Sequence, residues 1–299
     1  MEENSRKILQ NNKEKEVKLL NPKTDIVFQW LFSNPNITKG LISSLIDEKI
    51  TDIEIDLNKQ ILGESITDKT GILDLRAKIN NTIECEIEMQ MLYSKNFISR
   101  ILYYWSRLYS KQIKRGNNYN ELHKTICIAI INQNIPYLED LKAHTKWQIR
   151  EEKDKTKILT DNLEIHIIEI QKAIKEYDND RKNKVLQWMM FLNEPGSMEV
   201  DRIMEKNEEI KEAKVTLREL SEEESKQQIA ELREKYILDT KDIFETGIEK
   251  GIEKGIEKGI EKGISNEKIN IAKKLLKINM PIKQISEITG LSEEKIKEL

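Results

Sequence analysis

Gly71-Ile-Leu-Asp-Leu-Arg-Ala-Lys-Ile-Asn-Asn-Thr-Ile-Glu-Cys-Glu-Ile-Glu-Met-Gln90 decides the reading of this chain. Two runs of alternating apolar and polar residues flank Asn80-Asn81, the pattern of a β-hairpin. Register follows from burial. A two-residue loop would set Asp74 opposite Ile87 and mix apolar and charged residues on both faces. One more loop residue, as in a three-residue loop with a bulge, sorts them. Leu73, Leu75, Ala77 and Ile79 then share a core face with Ile83, Cys85, Ile87 and Met89. The opposite face sets Arg76 against Glu86, Lys78 against Glu84, and Asp74 against Glu88.

The first two pairs attract, whereas two carboxylates directly opposite each other repel. Either the face is simply solvated, or a cation sits between Asp74 and Glu88. Oxygen-only ligands suit a hard divalent ion, Mg²⁺ or Mn²⁺. Gln90 lies two residues beyond Glu88 and projects from the same face, placed to orient a water or a phosphate oxygen.

Working outward, Met89 to Asn120 contains no acidic residue, yet carries Lys95, Arg100, Arg107, Lys111, Lys114 and Arg115. A helix reads from Asn96 to Lys114, with a buried stripe of Ile98, Ile101, Leu102, Trp105, Leu108 and Tyr109. Arg100, Tyr104, Arg107 and Lys111 recur on one exposed face. That face suits a phosphodiester backbone or, alternatively, pairing with the acidic helices further on. Upstream, Asn21-Pro22-Lys23-Thr24 precedes a helix with Ile26, Phe28, Leu31 and Phe32, and a second helix is expected over Ile37–Asp47. Further strands are expected at Ile50–Leu57, Thr125–Asn132 and Leu163–Ile170. Strands early and helices late predict an α/β or α+β domain of about 170 residues with a helical tail.

From Asp178 to Glu245 the pattern is helical and charged. Gly247-Ile248-Glu249-Lys250 then repeats through Gly263, using five of the eleven glycines. Each interior glycine weakens a helix by about 1 kcal/mol relative to alanine. Period four also stacks like charges at i,i+4. The repeat is either a spacer or an oligomerisation helix whose Gly/Ile stripe admits a close partner. Residues 265–299 have a helix-turn-helix outline, but Glu293, Glu294 and Glu298 suit a groove of DNA poorly. A small packing or dimer module is the other reading. The expected organisation is a flexible 1–20, a domain over 21–175, a helical segment over 176–246, the repeat at 247–264 and the small module at 265–299.

Composition sets limits. The 299 residues carry 50 basic and 53 acidic side chains, net −3, which excludes a globally basic nucleic-acid coat. Two cysteines exclude a disulfide scaffold and point to a cytoplasmic location with reduced thiols. The longest apolar run, Ile126–Ile131, is too short for a membrane span. His123, His144 and His166 have no ligand spacing and read as structural or surface residues, and alternation with Ile165, Ile167 and Ile168 allows His166 to face solvent. Trp30, Trp105, Trp147 and Trp188 read as core or interface anchors.

Several motifs carry a resemblance: Lys23-Thr-Asp25-Ile-Val-Phe28 with Leu31-Phe32, Leu73-Asp74, Ile87-Glu88-Met-Gln90, Arg100-Ile-Leu-Tyr-Tyr104, Gly116-Asn-Asn-Tyr119, and Gln187-Trp188 with Phe191-Leu192. In that order they resemble the recombination-promoting nuclease family, transposase-like members of the PD-(D/E)XK nuclease superfamily. The resemblance implies a restriction-endonuclease-like mixed sheet flanked by helices. It also implies Mg²⁺- or Mn²⁺-dependent DNA cleavage in recombination. Asp74 and Glu88 would hold the metal, with Asp25 as a supplementary ligand. Gln90 would stand where the superfamily has lysine, and Arg100, Tyr104, Arg107 and Lys111 would meet DNA. A homo-oligomer through the tail is the expected assembly. The alternatives are a nuclease fold without activity that binds partners through its tail, and a regulator acting through residues 265–299.

Overall fold

The computed structural model describes residues 17–57 and 75–299. Asp74 and Leu73 lie outside the described residues. Helices α1 (Asp25–Phe32) and α2 (Pro35–Leu45) open the fold. Asn34 caps α2 by accepting from Asn36 N at 2.9 Å, and Pro35 starts the helix where its missing N–H is no loss. Strands β1 (Ile53–Leu57), β2 (Leu75–Ile79) and β3 (Ile83–Gln90) form an antiparallel meander. Helix α3 (Phe97–Ser110) crosses over to β4 (Thr125–Ile131), which runs parallel to β3. Strand β5 (His144–Trp147) pairs antiparallel with β6 (Leu163–Glu169), itself parallel to β4. Among the described residues the sheet has six strands in the order β1-β2-β3-β4-β6-β5. Helices α4 (Ile170–Tyr177), α5 (Lys184–Asn193), α6 (Met198–Met204), α7 (Glu208–Glu222) and α8 (Glu224–Lys277) follow.

The hairpin has the odd loop that the charge pattern requires. Ile79 pairs with Ile83, so Asn80, Asn81 and Thr82 form the loop, and Arg76 opposes Glu86 while Lys78 opposes Glu84. Asn80 and Asn81 take the left-handed backbone, at φ 50° and 61°, which asparagine tolerates better than most residues. The Asn80 side chain does more than turn the chain. Its Oδ1 accepts from Thr51 N at 2.8 Å and Asp52 N at 3.1 Å, and its Nδ2 donates to Lys49 O at 2.9 Å. One residue thus pins the start of β1 to the β2–β3 loop.

Leu75, Ala77, Ile79, Ile83, Cys85, Ile87 and Met89 are all buried in one core with Ile126, Ile128 and Ile130. Helices α1, α2, α5 and α7 cover that face. Phe28 and Phe32 lie 4.3 Å apart, Phe32 and Trp188 5.9 Å, and Trp188 and Phe191 6.0 Å between ring centroids. At Gly40 a β-carbon would come within 2.7 Å of Glu209 Cβ, so only glycine lets α2 approach α7 this closely. Helices past residue 176 therefore complete the core of the sheet. On the other face, Phe97 and Ile101 of α3 pack over Cys127, Ala129, Ile131, Ile165 and Ile167.

Two expectations are corrected. Leu102 was assigned to the buried stripe of α3 but is 46% exposed. The helix contacts the sheet through Phe97, Ile101 and Leu108, and Leu102 is turned about 100° away from Ile101. His166 was expected at the surface but is fully buried. It sits on an inner parallel strand, where both faces are covered. Its Nε2 lies 2.8 Å from Glu164 Oε1 and its Nδ1 2.8 Å from His144 Nε2. Lys124 and Lys146 reach Glu164 Oε2 at 3.0 and 3.1 Å. Burial alone would raise the Glu164 carboxyl, but the bonds from His166 and Lys124 overcome it and hold it at about 2. Burial lowers His144 to about 4. β5 and α4 were not foreseen from the sequence.

The chain divides into two compact units, the first ending at Lys235 and the second running from Tyr236 to Leu299. The second unit holds the remainder of α8, with α9 (Ile282–Thr289) and α10 (Glu293–Lys297). Ala272, Ile285, Leu291 and Ile296 form its small core. Gly290 ends α9 at φ +67°, a left-handed cap, and Ser292 caps α10. The Gly-Ile-Glu-Lys repeat is helical throughout, inside α8.

Candidate active site

The site is built on β3. Because side chains alternate along a strand, Glu84, Glu86, Glu88 and Gln90 share the face that α3 covers. Register with β4 sets Glu86 beside Cys127, Glu88 beside Ala129 and Gln90 beside Ile131. On the other side, Arg76 is the β2 partner of Glu86. Depth increases toward the middle of β3. Glu86 is 1% and Glu88 2% exposed, while Gln90 is half-buried.

Arg100, one turn into α3, reaches down to this row. Its Nη2 lies 2.6 Å from Glu88 Oε1 and also donates to Gln90 Oε1. Gln90 Nε2 donates to Leu92 O at 2.9 Å, which fixes the amide orientation. Burial holds the Glu88 carboxyl above its ordinary range. Arg100 pulls it back and the charge of Glu86 pushes it up. Among the described residues, both oxygens of Glu86 and Oε2 of Glu88 are buried without a hydrogen-bond donor, and Nε of Arg76 and of Arg100 lack acceptors.

The structure thus brings together three of the expected site residues, Glu88, Gln90 and Arg100. Tyr104 is half-buried on the same helix, and Arg107 and Lys111 are exposed further along it. Arg107 stacks over Tyr103, its guanidinium 5.9 Å from the ring centroid. Asp74 lies outside the described residues. Asp25, at the start of α1, is hydrogen-bonded on both oxygens. Its Oδ1 and Oδ2 both accept from Arg233 Nε at 2.9 Å, Oδ2 accepts from Arg233 Nη2 as well, and Oδ1 accepts from Ile26 N. Sequence reasoning paired Glu86 with Arg76 and so missed it as a site residue. The two oppose each other in register but form no ion pair. The signal was present in the acid at every second position of Glu84-Cys-Glu-Ile-Glu88.

The buried carboxylate oxygens without donors fit a hard cation, which takes oxygen ligands and removes the repulsion between neighbouring acids. Among the described residues, no group of three or more His, Cys, Asp or Glu side chains is arranged to hold a metal.

A mixed sheet between two helical layers, with acids of a central strand facing a basic helix, defines the class: a PD-(D/E)XK nuclease fold. More particularly, the chain belongs to the family of PD-(D/E)XK nuclease family transposases, whose model matches residues 22–247. No curated protein and no solved structure matches it. Membership makes the protein nuclease- or transposase-like, with DNA as the substrate class and divalent metals, usually Mg²⁺, as the general cofactor of such nucleases. Among the described residues no helix is long and apolar enough to cross a membrane.

Proposed function

We propose that this protein is a Mg²⁺- or Mn²⁺-dependent DNA endonuclease acting in transposition or recombination. The observation that carries the reading is the buried Glu88 carboxylate, set on the strand face next to Gln90 and Arg100. Asp74, immediately before β2, and Glu88 are the proposed ligands. When bound, the metal supplies a water of lowered pKa and a Lewis acid for the phosphate. Asp25 is left out of this ligand set because Arg233 occupies its carboxylate.

Glu-x-Gln in place of Glu-x-Lys removes a positive charge from the strand. Arg100 supplies one from the facing helix, at the Gln90 amide itself. In this reading Gln90 orients a water or phosphate oxygen, and Arg100 stabilises negative charge as it develops on the phosphate. Tyr104, Arg107 and Lys111 continue the same helix face along the DNA backbone. Substituting Arg107 or Lys111 by alanine is expected to weaken binding on all sequences and reduce the salt slope by about 1 each.

The test is conversion of supercoiled plasmid to the open circle with Mg²⁺. Wild type cleaves, and Asp74→Ala and Glu88→Gln do not. Undiminished cleavage by Asp74→Ala defeats the assignment. The competing reading, an inactive nuclease fold that binds through its tail, is favoured if Mn²⁺ calorimetry detects no binding.

The tail is proposed to pair with a second copy of itself. Ile248, Ile252, Ile256, Ile260 and Ile264 are 46–58% exposed, and a β-carbon added at any repeat glycine would meet nothing. The Lys and Glu rows flank the Gly/Ile stripe on opposite sides. A parallel pair sets each Lys row against the partner's Glu row, whereas an antiparallel pair sets like against like, so the parallel arrangement is favoured. The single variant Ile252→Cys, near one end of the repeat, should form disulfide-linked dimers in a parallel pair, because Cys85 and Cys127 are buried and do not compete. Its failure to form them would count against the parallel pair.

A further inference from the structure

We propose that Glu86 is itself a cation ligand, a second carboxylate that β3 contributes beside Glu88. The inference rests on the metal-site reading above and extends its ligand set. Glu86 occupies the middle of β3, 1% exposed, between Arg76 on β2 and Cys127 on β4. A buried carboxyl group ordinarily satisfies itself in one of two ways. As an anion it takes an ion pair or several donors, and as a neutral acid it donates its own proton to an acceptor. Glu86 does neither. Among the described residues both of its oxygens lack a hydrogen-bond partner, and the cross-strand Arg76 makes no ion pair with it.

The neighbour makes matters worse. Glu88 lies two residues on, on the same face, and is as deeply buried. Among the described residues the guanidinium of Arg100 pairs with Glu88, and none forms an ion pair with Glu86. An uncompensated buried charge is among the most destabilising features a fold can carry. An oxygen-seeking dication at this point takes the free oxygens of Glu86 and the free Oε2 of Glu88, and more than offsets the one negative charge that Arg100 leaves. Residues two apart on a strand project side by side, so one ion between them is sterically reasonable.

Mn²⁺ titrated into the full-length protein, by calorimetry and by thermal unfolding, tests this with a readout independent of cleavage. Glu86→Gln keeps the shape and removes the charge. The expected result is Mn²⁺ affinity at least tenfold lower than wild type, with metal-free unfolding at the same temperature or higher because repulsion is relieved. Wild-type affinity in Glu86→Gln overturns the proposal and leaves the Asp74/Glu88 site standing. Absence of Mn²⁺ binding in wild type overturns the site and this extension together. Should Glu86→Gln fail to fold, Glu86→Asp retains the charge but withdraws the oxygens by one methylene. An affinity at least tenfold below wild type then supports the ligand role, and an unchanged affinity overturns it.

Discussion

Replacing Arg100 by methionine isolates the electrostatics of the site. Methionine keeps an apolar stem on α3 but deletes the guanidinium that stands 2.6 Å from Glu88 and bonds Gln90. Breaking a buried ion pair by removing one partner typically destabilises by 3–5 kcal/mol, because the other charge is left buried and unpaired. Arg100 is 25% exposed and Glu88 2%, so the lower end applies, about 3 kcal/mol at pH 8. For a unit of this size that is a fall in Tm of roughly 6–12 °C. The pH dependence has a definite sign. The Glu88 carboxyl already titrates above its ordinary value in the native chain, chiefly through burial. Between the ordinary and the raised value the native state holds a proton that the unfolded state has released, so stability falls as pH rises. Without Arg100 the raised value climbs further, and the window widens upward. Urea denaturation at pH 5, 6, 7 and 8 should therefore show a deficit that is largest at pH 8 and shrinks toward pH 5. Saturating Mn²⁺ should also reduce it. A deficit of equal size at every pH would mean that Arg100 acts through packing, and the charge argument would fail.

Other outcomes follow from the same coordinates. Asn80→Gly keeps the left-handed turn but loses the bonds to Thr51, Asp52 and Lys49, and is expected to destabilise by about 1–3 kcal/mol. Asn81→Gly, at an exposed left-handed position with no such bonds among the described residues, should be neutral or slightly stabilising. Chemical denaturation of the pair distinguishes them, and equal losses would refute the anchoring role of Asn80. Glu164, held at about 2, contributes stability that is present above its unfolded value and lost as pH falls toward 2. Glu164→Gln should be less stable than wild type at pH 7 by on the order of 3 kcal/mol. That difference should close between pH 5 and pH 2, and acid titration followed by circular dichroism would reveal a persistent gap if the reasoning were wrong.

Much of this protein could be read from local pattern alone. The alternation on either side of Asn80-Asn81 is compatible with only one economical register, because a slip of one residue would bury charges on both faces. Five of the six strands, the basic helix after β3 and the row of Glu86, Glu88 and Gln90 followed from periodicity. β5 did not, because His144-Thr-Lys-Trp147 is a short edge strand with no apolar alternation. Its β-structure comes from pairing with β6. His166 misled for a related reason. Its polar character suggested solvent, but His166 is fully buried on an inner strand, where Glu164 and His144 supply its partners and Lys124 and Lys146 in turn bond Glu164.

The chemistry divides along the same line. Sequence spacing determined which side chains share the β3 face, since that is a property of one extended strand. It could not determine that Arg100, ten residues beyond Gln90, turns back to meet Glu88 and Gln90, nor that Glu86 is buried without an ion pair to its cross-strand neighbour Arg76. Those facts depend on the angle at which α3 crosses the sheet and on how much water the crossing excludes. Only the packed tertiary structure decides how deeply a carboxylate is buried and which counter-charge reaches it.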